Sequence, residues 1–363
     1  MIHSPHSGRS AKLSDALTQL QQTGVEVIQT IPIDTLDNLP AQGASWREKS
    51  IDVAIAAGGD GLVGGVITHI AESGLPLGIL PLGTSNDIAR ALHIPQDLHS
   101  AAQVIAQGEE RKVDVGVARP AEQAPHRASK HQSGPILAHV GLQRQAFFAH
   151  ALTVGVNVQF ARIATNVATR QRFGRLTYPY AALEVMASHD SLDVQLEFDG
   201  LVMPQARNST QVQAPPVPAA PELQIPLRCR ALQVAVINAP IFGGQWELTI
   251  PRSSLSDRLL DIVVFEEIEL VSLSRIIASY LGPKESVETH PSNSEKQHFT
   301  HHPAELSDIP GIHHLQARGV IITTSADPRD ATLDGEVRGQ TPIYAHVADE
   351  RLRVMAPAQA GTS

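Results

Sequence analysis

The segment IDVAIAAGGDGLVGGV, residues 51–66, constrains this chain most: an unbroken apolar run leads directly into clustered glycines and then into a helical period. A continuous apolar run of this kind reads as a strand buried on both faces, as in a parallel sheet covered by helices on each side. Glycines let the backbone approach an anion closely, and the free N–H groups at the start of the following helix carry partial positive charge toward it. Gly58, Gly59 and Gly61 are therefore candidates for a phosphate cradle. A tight strand-to-helix turn that holds no ligand is the plainer alternative.

The flanking sequence repeats the alternation. Leu13, Ala16, Leu17 and Leu20 fall on one helical face that Gly24 ends. VEVIQ (25–29), LGIL (77–80) and KVDVGVA (112–118) read as strands, and Val63–Glu72, 87–94 and 100–107 as helices. This predicts an α/β lobe with a parallel sheet over residues 1–118. The aperiodic stretch that follows predicts an inserted linker at 119–146. HALTVGVNV, DVQLEF, ALQVAVINA, WELTI, LDIVVFEE, GVIITTS and YAHVA then predict a mainly antiparallel β lobe over 147–345. Helices are expected near 180–187 and 270–281, inserted loops at 203–226 and 283–316, and a C-terminal strand and tail at 346–363 that packs back on the first lobe.

A length of 363 residues suits two such lobes, and 42% hydrophobic against 18% charged residues suits packed cores. No run approaches the ~20 apolar residues of a bilayer span, and MIHSPHSGRS lacks the features of a secretory signal, so the expected location is cytoplasmic. The single cysteine, Cys229, excludes a disulfide framework and a thiolate metal cluster. A net charge of −9 with 4% aromatic residues argues against nucleic-acid binding.

Gly59-Asp60-Gly61-Leu62-Val63-Gly64 also fits the dinucleotide pattern G-x-G-x-x-G. Asp60 argues against that reading, because two unit charges ~4 Å apart repel by about 4 kcal/mol at an effective dielectric of ~20. A divalent ion reverses the sign, and Mg²⁺ favours one or two carboxylates together with phosphates. Asp60 thus points to Mg²⁺ and a nucleoside triphosphate. No Gly-Lys pair precedes a Ser or Thr, so the chain is not a P-loop protein.

A second turn, in LGILPLGTSNDIARAL (77–92), presents Gly83 and Thr84, with Ser85 or Asn86 as an N-cap. Ligands in parallel sheets sit beyond the carboxyl ends of the strands, which places the two turns side by side. Asp87, and Asp114 if its strand runs alongside, could join Asp60 around a metal; alone, Asp114 reads as a strand-end hydrogen bonder. TLDGEVRGQ (332–340) reads as a hairpin turned at Asp-Gly. The same stretch holds a carboxylate pair, Asp334 and Glu336, able to accept a proton from a hydroxyl. His290, His298, His301, His302, His313 and His314 read as a mobile loop rather than a metal site.

Taken together, these residues resemble the diacylglycerol kinase catalytic family of soluble lipid kinases, which includes sphingosine-kinase-like enzymes. GGDG (58–61), PLGTSNDIARAL (81–92) followed by IP, VDVG (113–116), INAPIFGG (237–244), SLSDRLLDIVV (254–264) and LDGE (333–336) occur in the family's order. The resemblance implies a nucleotide lobe like those of phosphofructokinase and NAD kinase, followed by a β-sandwich lobe that helps bind lipid. It implies Asp60, Asp87 and Asp114 around Mg²⁺, and Gly58, Gly59, Gly61, Gly83, Thr84 and Ser7 around ATP. It also implies Asp334 as the base, supported by Glu336, with Asp60 in the catalytic set and Asp257 in a structural metal loop. The expected partners are ATP and a lipid at a membrane surface, with a homodimer left open. Arg162, Arg170, Arg172 and Arg175, interleaved with Phe160, Phe173, Tyr178 and Tyr180, are a candidate docking face, with a solvated helix as the alternative. The sequence departs from the family at Leu62 (usually Thr), Gly64-Gly65 (usually Asn-Glu), Ser4-Pro5-His6-Ser7-Gly8 (NPxSG), Asp257-Arg258 (Asp-Gly) and Gly243-Gly244-Gln245 (GGG). Leu62 and the Gly64-Gly65 pair keep one rival open, a non-catalytic nucleotide or lipid sensor, and a second is an NAD kinase-like enzyme or plain dinucleotide binding through Gly59–Gly64.

Overall fold

The computed structural model describes residues 1–4, 10–38, 51–71, 73–123, 145–156, 191–202, 226–242, 248–250, 252–266, 311–325 and 327–358. Its first sheet contains β1 (Ile2–His3), β2 (Ile31–Pro32), β3 (Ala54–Gly58), β4 (Leu77–Pro81) and β5 (Glu109–Val113). The order is β2-β1-β3-β4-β19-β5, where β19 (Leu352–Ala356) comes from the far end of the chain. It pairs parallel to β4 and antiparallel to β5, and the remaining pairs are parallel. Helices α1 (Ser10–Gln22), α2 (Asp60–Ile70), α3 (Asp87–Ala91) and α4 (Leu98–Gln107) accompany this sheet. Buried Ala16 and Leu20 of α1, Val63, Val66, Ile67 and Ile70 of α2, and Ala101, Ala102 and Ile105 of α4 pack with the apolar strands into one core.

The second sheet is antiparallel throughout. It comprises β6 (Gly116–Pro120), β7 (Ala146–Phe148), β8 (Ala151–Gly155), β9 (Leu192–Asp199), β10 (Leu227–Ile237), β13 (Leu260–Glu266), β14 (Ile312–Ala317), β15 (Gly319–Thr324), β16 (Asp330–Leu333), β17 (Glu336–Gln340) and β18 (Ile343–Val347). β11 (Ile241–Phe242) and β12 (Leu248–Thr249) form a separate pair. The α/β lobe with a parallel sheet and the antiparallel β lobe are thus both present, as the sequence predicts.

Three local expectations are corrected. VEVIQ is not a strand: β1 offers only two residues to pair with, and they take Ile31 and Pro32 as partners. The alternation of Val25 and Val27 only rests that segment against the core. KVDVGVA is two strands, because the chain leaves the first sheet at Asp114, whose N–H bonds to Leu255 O (2.7 Å), and enters the second at Gly116. His313 and His314 lie on β14 rather than in a loop, and they pair with Glu266 (2.9 Å) and Asp261 (2.7 Å) of neighbouring β13. The other four histidines, the aromatic and arginine stretch at 160–180 and the two second-lobe helices lie outside the described residues.

The lobes meet where the chain crosses between them, at Asp114-Val115 and again at Ala348–Arg351. Ala348 N bonds to Val115 O (2.8 Å), and Arg351 Nε bonds to Asp114 Oδ1 (2.8 Å). Asp114, with a fully buried side chain, also accepts the Arg258 backbone N–H (2.7 Å). Arg258 Nη1 stands farther off, 3.6 Å from the same Oδ1, so Arg351→Met leaves the buried carboxylate only partly compensated and should destabilise the protein by about 2 kcal/mol. Asp114→Asn removes the buried charge itself and should cost less. Urea midpoints of the two variants test this, and a larger loss for Asp114→Asn would contradict it.

Candidate active site

Strands β3 and β4 run parallel in register, Gly58 opposite Pro81, so the two glycine turns leave the same end of the sheet. Leu82 N bonds back to Gly58 O (3.0 Å). A Cβ on Gly83 would lie 2.5 Å from Gly59 Cα, so the turns touch backbone to backbone, and only glycines permit this. Gly59 caps α2 without a side chain, and the first helical bond runs from Val63 N to Gly59 O (3.0 Å). The start of α2 thus aims its amides and the positive end of its dipole into the space above both turns. Leu62 folds back over Gly58, with its Cβ 2.8 Å from where a Gly58 Cβ would stand.

Asn86 sits at the start of α3 with φ +52° and turns its amide back on the loop. Its Oδ1 accepts Gly83 N–H (2.9 Å), and its Nδ2 donates to Gly83 O (3.3 Å) and to Gln96 Oε1 (3.1 Å). The cap of α3 comes instead from Asp60, whose Oδ1 accepts Ile88 N–H (3.0 Å). Asp60 therefore ties the first glycine turn to the second. Asp87, in that same turn, is 5% exposed.

The third wall comes from the other lobe. Asp334 (φ +49°) and Gly335 (φ +85°) form the tip of the β16–β17 hairpin, with positive φ at both central residues as a type I′ turn requires. The Asp334 carboxylate is held by three backbone amides: Oδ2 accepts Ala149 N–H (2.9 Å), and Oδ1 accepts those of His150 (2.8 Å) and Ala151 (3.0 Å). Asn238 fixes that segment in turn, donating its Nδ2 to Ala149 O (2.8 Å) and Asp114 O (3.0 Å). Burial pushes the Asp334 carboxyl above its ordinary value, and the three amides and the neighbouring His150 pull against that rise.

The hairpin lies on a glycine face of α2. A Cβ on Gly64 would stand 3.1 Å from Asp334 Cγ and closer still to its Oδ2, and one on Gly61 would stand 3.1 Å from Glu336 Oε1. Residues 61, 64 and 65 share one side of a helix, and the absence of side chains there lets the acidic hairpin descend onto the helix start.

Asp334 and Glu336 thus stand against Gly61 and Gly64 of the helix that Asp60 begins, directly after Gly58 and Gly59, with Gly83 touching Gly59 and Thr84 exposed beside Gly83. Asp87 is buried at the edge of this group, and the Asp114 carboxylate is taken up at the lobe junction by Arg351 and Arg258. Ser7 and Gly243-Gly244 lie outside the described residues. Among the described residues no three acidic, imidazole or thiol side chains converge as a metal cluster. At Asp257, burial pushes the carboxyl up to about 6, and the adjacent Arg258 directs its guanidinium to Asp349 O (3.0 Å) and Asp114. Sequence reasoning missed Asn86 as the brace of the second turn, the amides of 149–151 and the face at Gly64. The Gly64-Gly65 pair was the available signal, since each glycine inside a helix costs roughly 1 kcal/mol relative to alanine and calls for a packing reason.

Comparison with known proteins agrees with this architecture. Residues 1–118 match the diacylglycerol kinase catalytic domain, and residues 150–283 match the YegS C-terminal NAD kinase beta sandwich-like domain. A diacylglycerol kinase of Staphylococcus aureus (strain JH9) is 38% identical over 362 residues, covering 98% of this chain and 91% of its own. The chain belongs to the diacylglycerol kinase family. The diacylglycerol kinase of Staphylococcus saprophyticus is 24% identical, covering 98% of this chain and 94% of its own. A diacylglycerol kinase structure from Bacillus anthracis shares the fold, with a TM-score of 0.55 at 17% identity over 98% of this chain and 96% of that one. A further Bacillus anthracis structure reaches a TM-score of 0.64 at 18% identity over 98% and 94% of the two chains. In the diacylglycerol kinase family the chain is a kinase-type phosphotransferase, and both glycine turns fall within the matched catalytic domain, while the LDGE hairpin lies C-terminal to the second match.

Proposed function

We propose that this protein transfers the γ-phosphoryl group of ATP to a hydroxyl of a diacylglycerol-like or long-chain lipid at a membrane surface. The observation that carries the reading is the seating of Asp334 and Glu336, from one lobe, against the glycine face at the start of α2, from the other. The glycine turns and the α2 amides suit the phosphate chain of ATP. Mg²⁺ with a triphosphate needs only one or two carboxylates, and half-buried Asp60 meets that need with Asp87 in the adjoining turn. When bound, the ion would offset charge on the phosphates. Asp114, committed to arginines, is left out of that set.

The three amides fix the Asp334 carboxylate in one orientation while Oδ2, with a single bond, keeps accepting capacity. As the lipid oxygen bonds to phosphorus and the bond to ADP breaks, Asp334 takes the hydroxyl proton. Phosphoryl transfer has a loose transition state, so a positioned carboxylate is base enough. No described helix is long and apolar enough to cross a membrane.

The test is to incubate the protein with labelled ATP, Mg²⁺ and a panel of lipid hydroxyls, with NAD as a soluble acceptor. Label should enter a lipid with wild type and be lost with Asp60→Ala. Label in NAD alone, or nucleotide binding without transfer to any acceptor, would overturn the reading.

A further inference from the structure

The hairpin that carries Asp334 also brings a cation to the site. The β16–β17 ladder pairs Thr332 with Val337 but Ala331 with Gly339, so Arg338 is the extra residue of a β-bulge on the sheet's edge strand. Bulges re-aim side chains. Here the Arg338 guanidinium grips Glu336 Oε2 through Nε (2.9 Å) and Nη2, and Nη2 lies 3.8 Å from where a Gly65 Cβ would stand. It therefore rests on the same glycine face of α2 that receives Asp334 and Glu336. Its side chain is 31% exposed, and a guanidinium has five N–H donors, so donors remain after Glu336 is bound.

We infer that Arg338 binds the terminal phosphoryl group of the nucleotide and makes the site favour a triphosphate over a diphosphate. The inference rests on the ATP-dependent reading above. The wall formed by Asp334 and Glu336 is anionic, and a triphosphate tail brought against it needs a compensating charge. A planar guanidinium matches two phosphoryl oxygens at once, and Glu336 holds it at a fixed angle without occupying all its donors. On this account Glu336 is a positioning residue that acts through Arg338.

The experiment measures ATP and ADP affinities with Mg²⁺ and no lipid for wild type, Arg338→Gln and Arg338→Lys, alongside their melting temperatures. Arg338→Gln should weaken ATP by about tenfold, the loss of one charge-assisted contact, and leave ADP within about twofold. Arg338→Lys, which keeps the charge but not the fork, should fall between. If Arg338 only fastens the hairpin, the ATP-to-ADP ratio will match wild type in both variants, and the assignment falls while the kinase reading stands. If wild type binds neither nucleotide, the kinase reading falls and takes this inference with it.

Discussion

Asp334→Asn is expected to lower kcat by about 10²–10⁴-fold, the range for loss of a general base, while the protein remains folded. Asparagine tolerates the left-handed backbone at this position, so the hairpin turn survives. Its oxygen can still accept the His150 and Ala151 amides, while its NH₂ group meets the Ala149 N–H donor to donor, at a cost of about 1–2 kcal/mol. Wild-type activity should also carry the signature of this carboxyl. Burial raises its pKa, so it takes up a proton at higher pH than an ordinary aspartate and ceases to be a base. Activity should therefore fall as pH drops through that raised value. A kcat–pH profile checks this; an acid limb unchanged in Asp334→Asn would assign the titration to another group.

Gly64→Ala is the second large effect. The new methyl would collide with the Asp334 carboxylate, which cannot step aside because three amides hold it. Overpacking of this kind costs typically 1–3 kcal/mol and would lever the acidic hairpin off α2, so phosphoryl transfer should be lost almost completely. Gly65→Ala is the internal comparison. Its methyl would meet the flexible tip of Ile33 at 3.3 Å, and the gain in helix propensity, up to about 1 kcal/mol, offsets that crowding. Activity assays and thermal melts should separate the two: an inactive, destabilised Gly64→Ala beside a near-neutral Gly65→Ala. Equal activities would mean that the hairpin does not press on the helix as described.

How much was legible in the sequence depends on how local each signal is. The buried run ending in Gly58-Gly59 and the Asp-Gly of the hairpin announce themselves within a few residues, because strand burial and turn backbone are local demands. The parallel-sheet rule even places Gly59 beside Gly83. Asp114 reads alone as a strand-end hydrogen bonder, but its partners were hidden for the opposite reason. Its strand looks continuous, and only the arrival of Arg351, 237 residues later, shows that a buried carboxylate interrupts it at the crossing between lobes. The same limit hid the amides of 149–151 and the use of Gly64, since a glycine's absent side chain says nothing about what fills the space. VEVIQ failed on a length constraint: alternation alone cannot make a strand when the partner strand is two residues long.

The claim at the centre is that the acidic hairpin of the β lobe and the glycine-lined helix start of the α/β lobe form one phosphoryl-transfer site. Single-turnover transfer from γ-labelled ATP to diacylglycerol vesicles, with ATP binding measured on the same samples, tests it most directly. Wild type should label the lipid, and Asp334→Asn should bind ATP within a few-fold of wild type yet transfer at least about 100-fold more slowly. Transfer by Asp334→Asn at the wild-type rate would contradict the account.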